Sequence, residues 1–161
     1  MYKEDKAYKF VENIPLNTVA PFFDFGRTGA INPLGSRQSK IEIVDIVTMA
    51  GDIYQNILVF SSTCNRLALA QGHGIFSLHN LEGCFKVLKG HIGHIDGESM
   101  IDATISFWSD SNLLYLHQLL AVDPPVPISI SVEYVHKLRI LVEFSNVGCE
   151  SGSYGLCAFL N

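Results

Sequence analysis

From Lys40 onward, apolar residues recur at every second position in one short segment after another, and glycine, proline and polar clusters separate the segments. Period-two alternation buries one face of a β-strand and leaves the other in water. Residues 41–47 form the first such run, ending near Ala50-Gly51-Asp52, and residues 53–60 follow after a short turn. Residues 66–71 and 74–78 are separated by Gly72-His73-Gly74, and residues 84–88 are bounded by Gly83 and Gly90. Residues 100–108 alternate cleanly, with Ile101, Ala103, Ile105 and Phe107 on one face and Asp102, Thr104 and Ser106 on the other. Turn signals every ten to fifteen residues suit an all-β sandwich or barrel.

The last third of the chain continues the pattern. Ile128, Ile130, Val132 and Tyr134 share one phase, and Leu138, Ile140, Val142 and Phe144 keep the same parity. A hairpin with its tip at residues 136–138 would pair Tyr134 with Ile140, Val132 with Val142 and Ile130 with Phe144. Residues 148–152 make the next connection, and residues 154–160 are a final strand. One segment departs from the rhythm. Ser109-Asp110-Ser111 offers capping residues, Leu113, Leu116, His117 and Leu120 follow at helical spacing, and Asp123-Pro124-Pro125 stops the run, so a short helix is expected there.

Residues 1–39 differ from the rest. Charges cluster between Lys3 and Glu12, and Pro15, Pro21, Gly26, Gly29, Pro33 and Gly35 break up regular structure. This stretch reads as an extended N-terminal arm, with a short strand or helical turn near residues 7–13, followed by a sandwich domain over residues 40–161. The arm is not a polar linker. Phe22, Phe23 and Phe25 would be costly to leave in water, which makes them the expected partner-binding anchors.

Composition supports the strand reading: Ile and Val occur 15 and 12 times, more than the 24 Ala, Glu and Lys together. The 161 residues suffice for one domain with a full core. Apolar residues make up 48% and charged residues only 17%, which excludes general disorder and leaves few charges to solvate a monomer's surface. A homo-oligomer that covers apolar strands is therefore expected. The net charge of −5 excludes an electrostatic footprint for nucleic acid, no apolar run is long enough for a membrane span, and the first residues lack the apolar core of a signal peptide. Cys64, Cys84, Cys149 and Cys157 have no paired spacing and read as free thiols in a reducing compartment.

Two constellations carry possible chemistry. His91, His94 and Asp96, in Gly90-His91-Ile92-Gly93-His94-Ile95-Asp96, offer imidazole and carboxylate ligands for zinc or iron. On a strand, however, residues three apart face opposite sides, and a polar turn between strands accounts for the same residues. No metal or other cofactor is expected. Trp108 reads as a core residue and not as a stacking platform. In the second constellation, the hairpin register would make Ser131 and Glu143 cross-strand neighbours, and His79 brought beside them could activate the serine.

The order Leu78-His79-Asn80, the expected helix, Ser131-Val132-Glu133-Tyr134 and Glu143-Phe144-Ser145 resembles the phage prohead-protease family, although Glu133 stands where a small residue is usual. That resemblance implies a serine protease with Ser131 as nucleophile, His79 as base and Glu143 as orienter. Residues 137–142 and Gly152-Ser153-Tyr154-Gly155-Leu156-Cys157-Ala158-Phe159-Leu160 resemble the closing strands of the tumour-necrosis-factor and C1q type of jelly roll. This second resemblance implies a trimer and a structural role of the kind found in viral fibre heads and capsid-decorating proteins. The expectation is thus a jelly-roll-like β-sandwich with an N-terminal arm and one short helix. It acts as a non-enzymatic virion component that binds its own copies and neighbouring structural proteins, in the virion or the host cytoplasm. The protease is the alternative.

Overall fold

Ten antiparallel strands account for the alternating segments in a computed structural model, which describes residues 21–28, 38–64, 73–98, 100–145 and 152–160. They are β1 (Pro21–Thr28), β2 (Gln38–Met49), β3 (Asp52–Cys64), β4 (His73–Asn80), β5 (Val87–His94), β6 (Ala103–Ser109), β7 (Asn112–Leu119), β8 (Val126–Ser131), β9 (Lys137–Phe144) and β10 (Gly152–Leu160). The first sheet has the order β1-β4-β9-β6-β7 and the second β2-β3-β10-β5-β8. Consecutive strands repeatedly change sheets, so most pairings join distant parts of the sequence.

The inward positions of both sheets form the core. Ile75, Ala103, Ile105, Phe107, Leu119, Leu138, Ile140, Val142 and Phe144 come from the first sheet, and Leu58, Phe60, Leu88, Ile92, Ile128 and Ile130 from the second. Each fully buried side chain of this size contributes roughly 1.5–3 kcal/mol. A smaller cluster of Met49, Ile57 and Val59 packs with Val44, Val47, Tyr54 and Ile95. Gly93 packs closely beside it: a Cβ there would lie 3.1 Å from Met49 Sδ and 3.1 Å from Pro125 Cα, tighter than packed atoms ordinarily come.

The β2–β3 hairpin turns through Ala50 and Gly51, both left-handed at φ 51° and 83°, as a two-residue type I′ connection requires. The carboxylate of Asp96 holds this turn, accepting the Ala50 and Gly51 backbone N–H groups at 2.8 Å each. The Asp96 N–H donates in turn to the Thr48 carbonyl at 2.9 Å.

Three expectations are corrected. The segment expected to be helical is strand β7, and among the described residues there is no helix. A register shift between Phe107 and Trp108 makes Leu114 the extra residue of a bulge, which breaks the period-two pattern. Leu113 and Leu116 stay exposed while Tyr115, His117 and Leu119 turn inward, and this mixture imitates helical spacing. The supposed helix cap is the β6–β7 turn, with Asp110 at φ 52°.

The hairpin joining residues 128–134 to 138–144 does not form. β8 pairs with β5 in the second sheet, whereas β9 lies between β4 and β6 in the first. The connection between them crosses from sheet to sheet at one end of the sandwich. His136 and Val135 carbonyls accept from the Leu81, Glu82 and Gly83 N–H groups there, and Val132 N–H donates to Lys86. Lastly, residues 90–94 are not a turn but the second half of β5.

Within the expected arm, residues 21–28 form β1, an edge strand of the first sheet paired with β4. Phe22, Phe23 and Phe25 lie on it, with Phe23 in register with Leu78. The short element expected at 7–13 and the strand expected at 66–71 lie outside the described residues. Cys84 is a free thiol.

Candidate functional site

The residues of the expected protease triad are not brought together. His79 and Glu143 belong to the first sheet, on β4 and β9, and Ser131 ends β8 in the second, opposite Val87. His79 points into the core, 3% exposed, and its Nε2 shares a 2.9 Å hydrogen bond with buried Ser77 Oγ. Its Nδ1 has no partner, and burial lowers its pKa from 6.5 to about 4. Glu143 and Ser131 are exposed. A neutral, enclosed imidazole bonded to Ser77 is a core side chain and not a base open to substrate.

The expected metal ligands also separate. His91 packs its ring against Tyr54, with centroids 5.4 Å apart. Buried His94 donates from Nε2 to the Leu120 carbonyl at 3.1 Å, and Asp96 caps the β2–β3 turn. Among the described residues no group of three His, Cys, Asp or Glu side chains could hold a metal.

A different group of side chains gathers on the outer face of the first sheet. Inward residues of β6 and β9 are odd- and even-numbered respectively, so Thr104, Ser106 and Trp108 face outward beside Glu143, Leu141 and Arg139. The register extends the rows across the sheet. Leu78, Arg139, Trp108 and Leu113 form one row, Phe76, Leu141, Ser106 and Leu116 the next, and Glu143, Thr104 and Gln118 a third. The face thus has an aromatic and aliphatic centre with a polar row at one end.

Trp108 is the anchor of this face. Its half-buried indole donates from Nε1 to Ser106 Oγ at 2.8 Å, which fixes the ring. The Arg139 guanidinium lies over the ring, 5.2 Å from its centroid, in a cation–π contact. Arg139 Nε is buried and has no hydrogen-bond partner. Such a surface can stack a flat apolar face while offering hydrogen-bonding groups around it. The expectation of Trp108 as a core residue is corrected: its neighbour Phe107 is the core residue, at 0% exposure. The parity of residues 102–108 carried that signal, since Trp108 shares the phase of Asp102, Thr104 and Ser106.

No protein-family model matches the sequence, and no curated protein matches it. Solved structures do match by shape. The CBM51 carbohydrate-binding module from Clostridium perfringens GH95, in complex with methyl-galactose, aligns with a TM-score of 0.53 at 10% identity, over 92% of this chain and 99% of its own. This chain has the jelly-roll fold. The structure of the M60 catalytic domain with two CBM51 domains, from Clostridium perfringens ZmpB, aligns with a TM-score of 0.52 at 10% identity over 91% of this chain. The chain spans only 15% of that larger protein. The expected jelly roll is therefore present, but neither neighbour is a tumour-necrosis-factor, C1q or phage protein.

Proposed function

We propose that the protein is a carbohydrate-binding module that takes glycans on the outer face of its first sheet. The observation that carries this reading is Trp108, fixed by Ser106 and overlain by Arg139 on an outward face edged by Thr104, Gln118 and Glu143. A pyranose has an apolar C–H face and a polar rim, which is the chemistry this strip complements. The fold shared with a galactose-binding CBM51 module supports the reading. Trp108→Ala should lower affinity for a bound oligosaccharide by about tenfold or more, as expected for loss of an aromatic anchor, while the domain stays folded. Calorimetric titration against glycans selected from an array measures this, and an array on which the wild-type protein retains nothing would end the proposal.

A second reading, self-association, rests on a separate observation. Ile43, Ile46 and Ile53 of the β2–β3 hairpin are 57%, 57% and 70% exposed. Exposed apolar clusters of this kind suit contact with another protein surface, here a second copy. Ile53→Lys should then shift the sedimentation of the protein toward the monomer, and a wild-type protein that sediments as a monomer at high concentration removes this reading. The virion setting expected from the terminal strands finds no support in the fold neighbours and is not part of the proposal.

A further inference from the structure

We infer that the glycan taken by this face is acidic, and that Arg139 binds its carboxylate. The inference rests on the carbohydrate-binding reading above and names the class of sugar. Arg139 stands between Leu78 on β4 and Trp108 on β6 and is followed two residues later by outward Leu141, so apolar side chains flank the guanidinium. Desolvating a charge in such surroundings without a counter-ion is unfavourable, and the same surroundings strengthen its attraction for an anion that arrives.

No counter-ion for it is found among the described residues. The outward carboxylate on the same strand is Glu143, four residues away, or about 14 Å at the rise of an extended strand. The Nε–H is buried and unpartnered, so the hydrogen-bonding capacity of the guanidinium is not fully used within the chain. The guanidinium carbon lies 5.2 Å from the Trp108 ring centroid, which limits where the group can sit. A planar fork of N–H donors matches a carboxylate.

Glu143 stands at the far end of the outward row of β9, past Leu141. A sugar packed beside the Trp108–Arg139 pair would place a carboxylate toward Arg139 and neutral hydroxyls toward Thr104 and Gln118. The overall charge of −5 does not oppose this, because charges beyond about 8 Å are screened at physiological salt.

The test compares sugars that differ in the acid group. Titrations of the full chain with sialyllactose against lactose, and with trigalacturonate against galactotriose, should give at least one pair in which the acidic member binds about tenfold to a hundredfold more tightly. In Arg139→Met that preference, read as the ratio of acidic to neutral affinity, should collapse to near unity. Arg139→Lys, which keeps the charge but loses the fork, should retain only part of the preference; thermal unfolding of both variants confirms that they are folded. Equal affinity of the wild-type protein for acidic and neutral members overturns the inference and leaves the carbohydrate-binding reading standing. Preference for sulfated lactose over sialyllactose and trigalacturonate overturns the carboxylate assignment. Failure to bind any of these sugars, with nothing retained on a broad array, overturns both.

Discussion

Lowering the pH from 7 to 4 is expected to remove about 3 kcal/mol of stability through His79 alone. The imidazole is held in the core, and burial lowers its folded-state pKa to about 4 from 6.5. Between those two values the unfolded chain takes up a proton at this position and the folded chain does not. Acidification through this window therefore favours unfolding, by up to roughly 1.4 kcal/mol per pH unit. The stabilisation is complete above pH 6.5 and is lost as the pH falls to 4. Urea unfolding of the wild-type protein and of His79→Leu at pH 7, 5.5 and 4 isolates the effect. The variant should show the shallower decline, because a leucine removes the titrating group while keeping an apolar side chain at the site. Parallel declines in the two proteins would show that His79 charges as readily when folded as when unfolded.

Much of the sandwich was legible because alternation reports directly on which face of a strand is buried. Ala103, Ile105 and Phe107, and Leu138, Ile140, Val142 and Phe144, all turn inward as their spacing implies. Alternation carries no information about partners, and this is why the expected hairpin failed. Ile130 and Phe144 both face the core, yet they do so from opposite sheets, and parity cannot distinguish that from pairing within one sheet. The missed strand β7 has a different cause. A bulge at Leu114 combined with outward Leu113 and Leu116 removed the period-two signal from an edge strand.

The candidate site was half legible. Trp108 stands on the polar phase of its strand, so its outward position was readable, but the acidic net charge argued against a stacking platform and for the core. Arg139 became visible only through β9–β6 pairing, which places it opposite Trp108 although 31 residues separate them in sequence. His79, Ser131 and Glu143 make the converse point. Residue types and chain order suited a protease, while the topology assigns Ser131 to the other sheet and turns His79 inward.

Two adjacent residues of β6 should separate stability from binding. Phe107 is fully buried, with its ring centroid 6.1 Å from that of Tyr115 across the β6–β7 pairing. Phe107→Ala removes a large side chain from the main core and leaves a cavity that the surrounding sheets only partly close, a loss of roughly 3–5 kcal/mol. For a chain of this length each kcal/mol lowers the unfolding midpoint by about 2–4 °C, so a drop on the order of 10 °C is expected. The next residue, Trp108, points to the opposite face, where its contacts are Ser106 Oγ and the Arg139 guanidinium. Trp108→Ala exposes Ser106 and releases Arg139 but empties no core site, and its midpoint should fall by less than half as much. Thermal unfolding of the two variants side by side measures the difference. Equal destabilisation would mean that the outer face is a second core whose apolar residues serve packing, and Trp108 would then cease to be a platform for ligand. A large loss for Phe107→Ala with a small one for Trp108→Ala matches a sheet whose inner face holds the fold together and whose outer face is left to recognition.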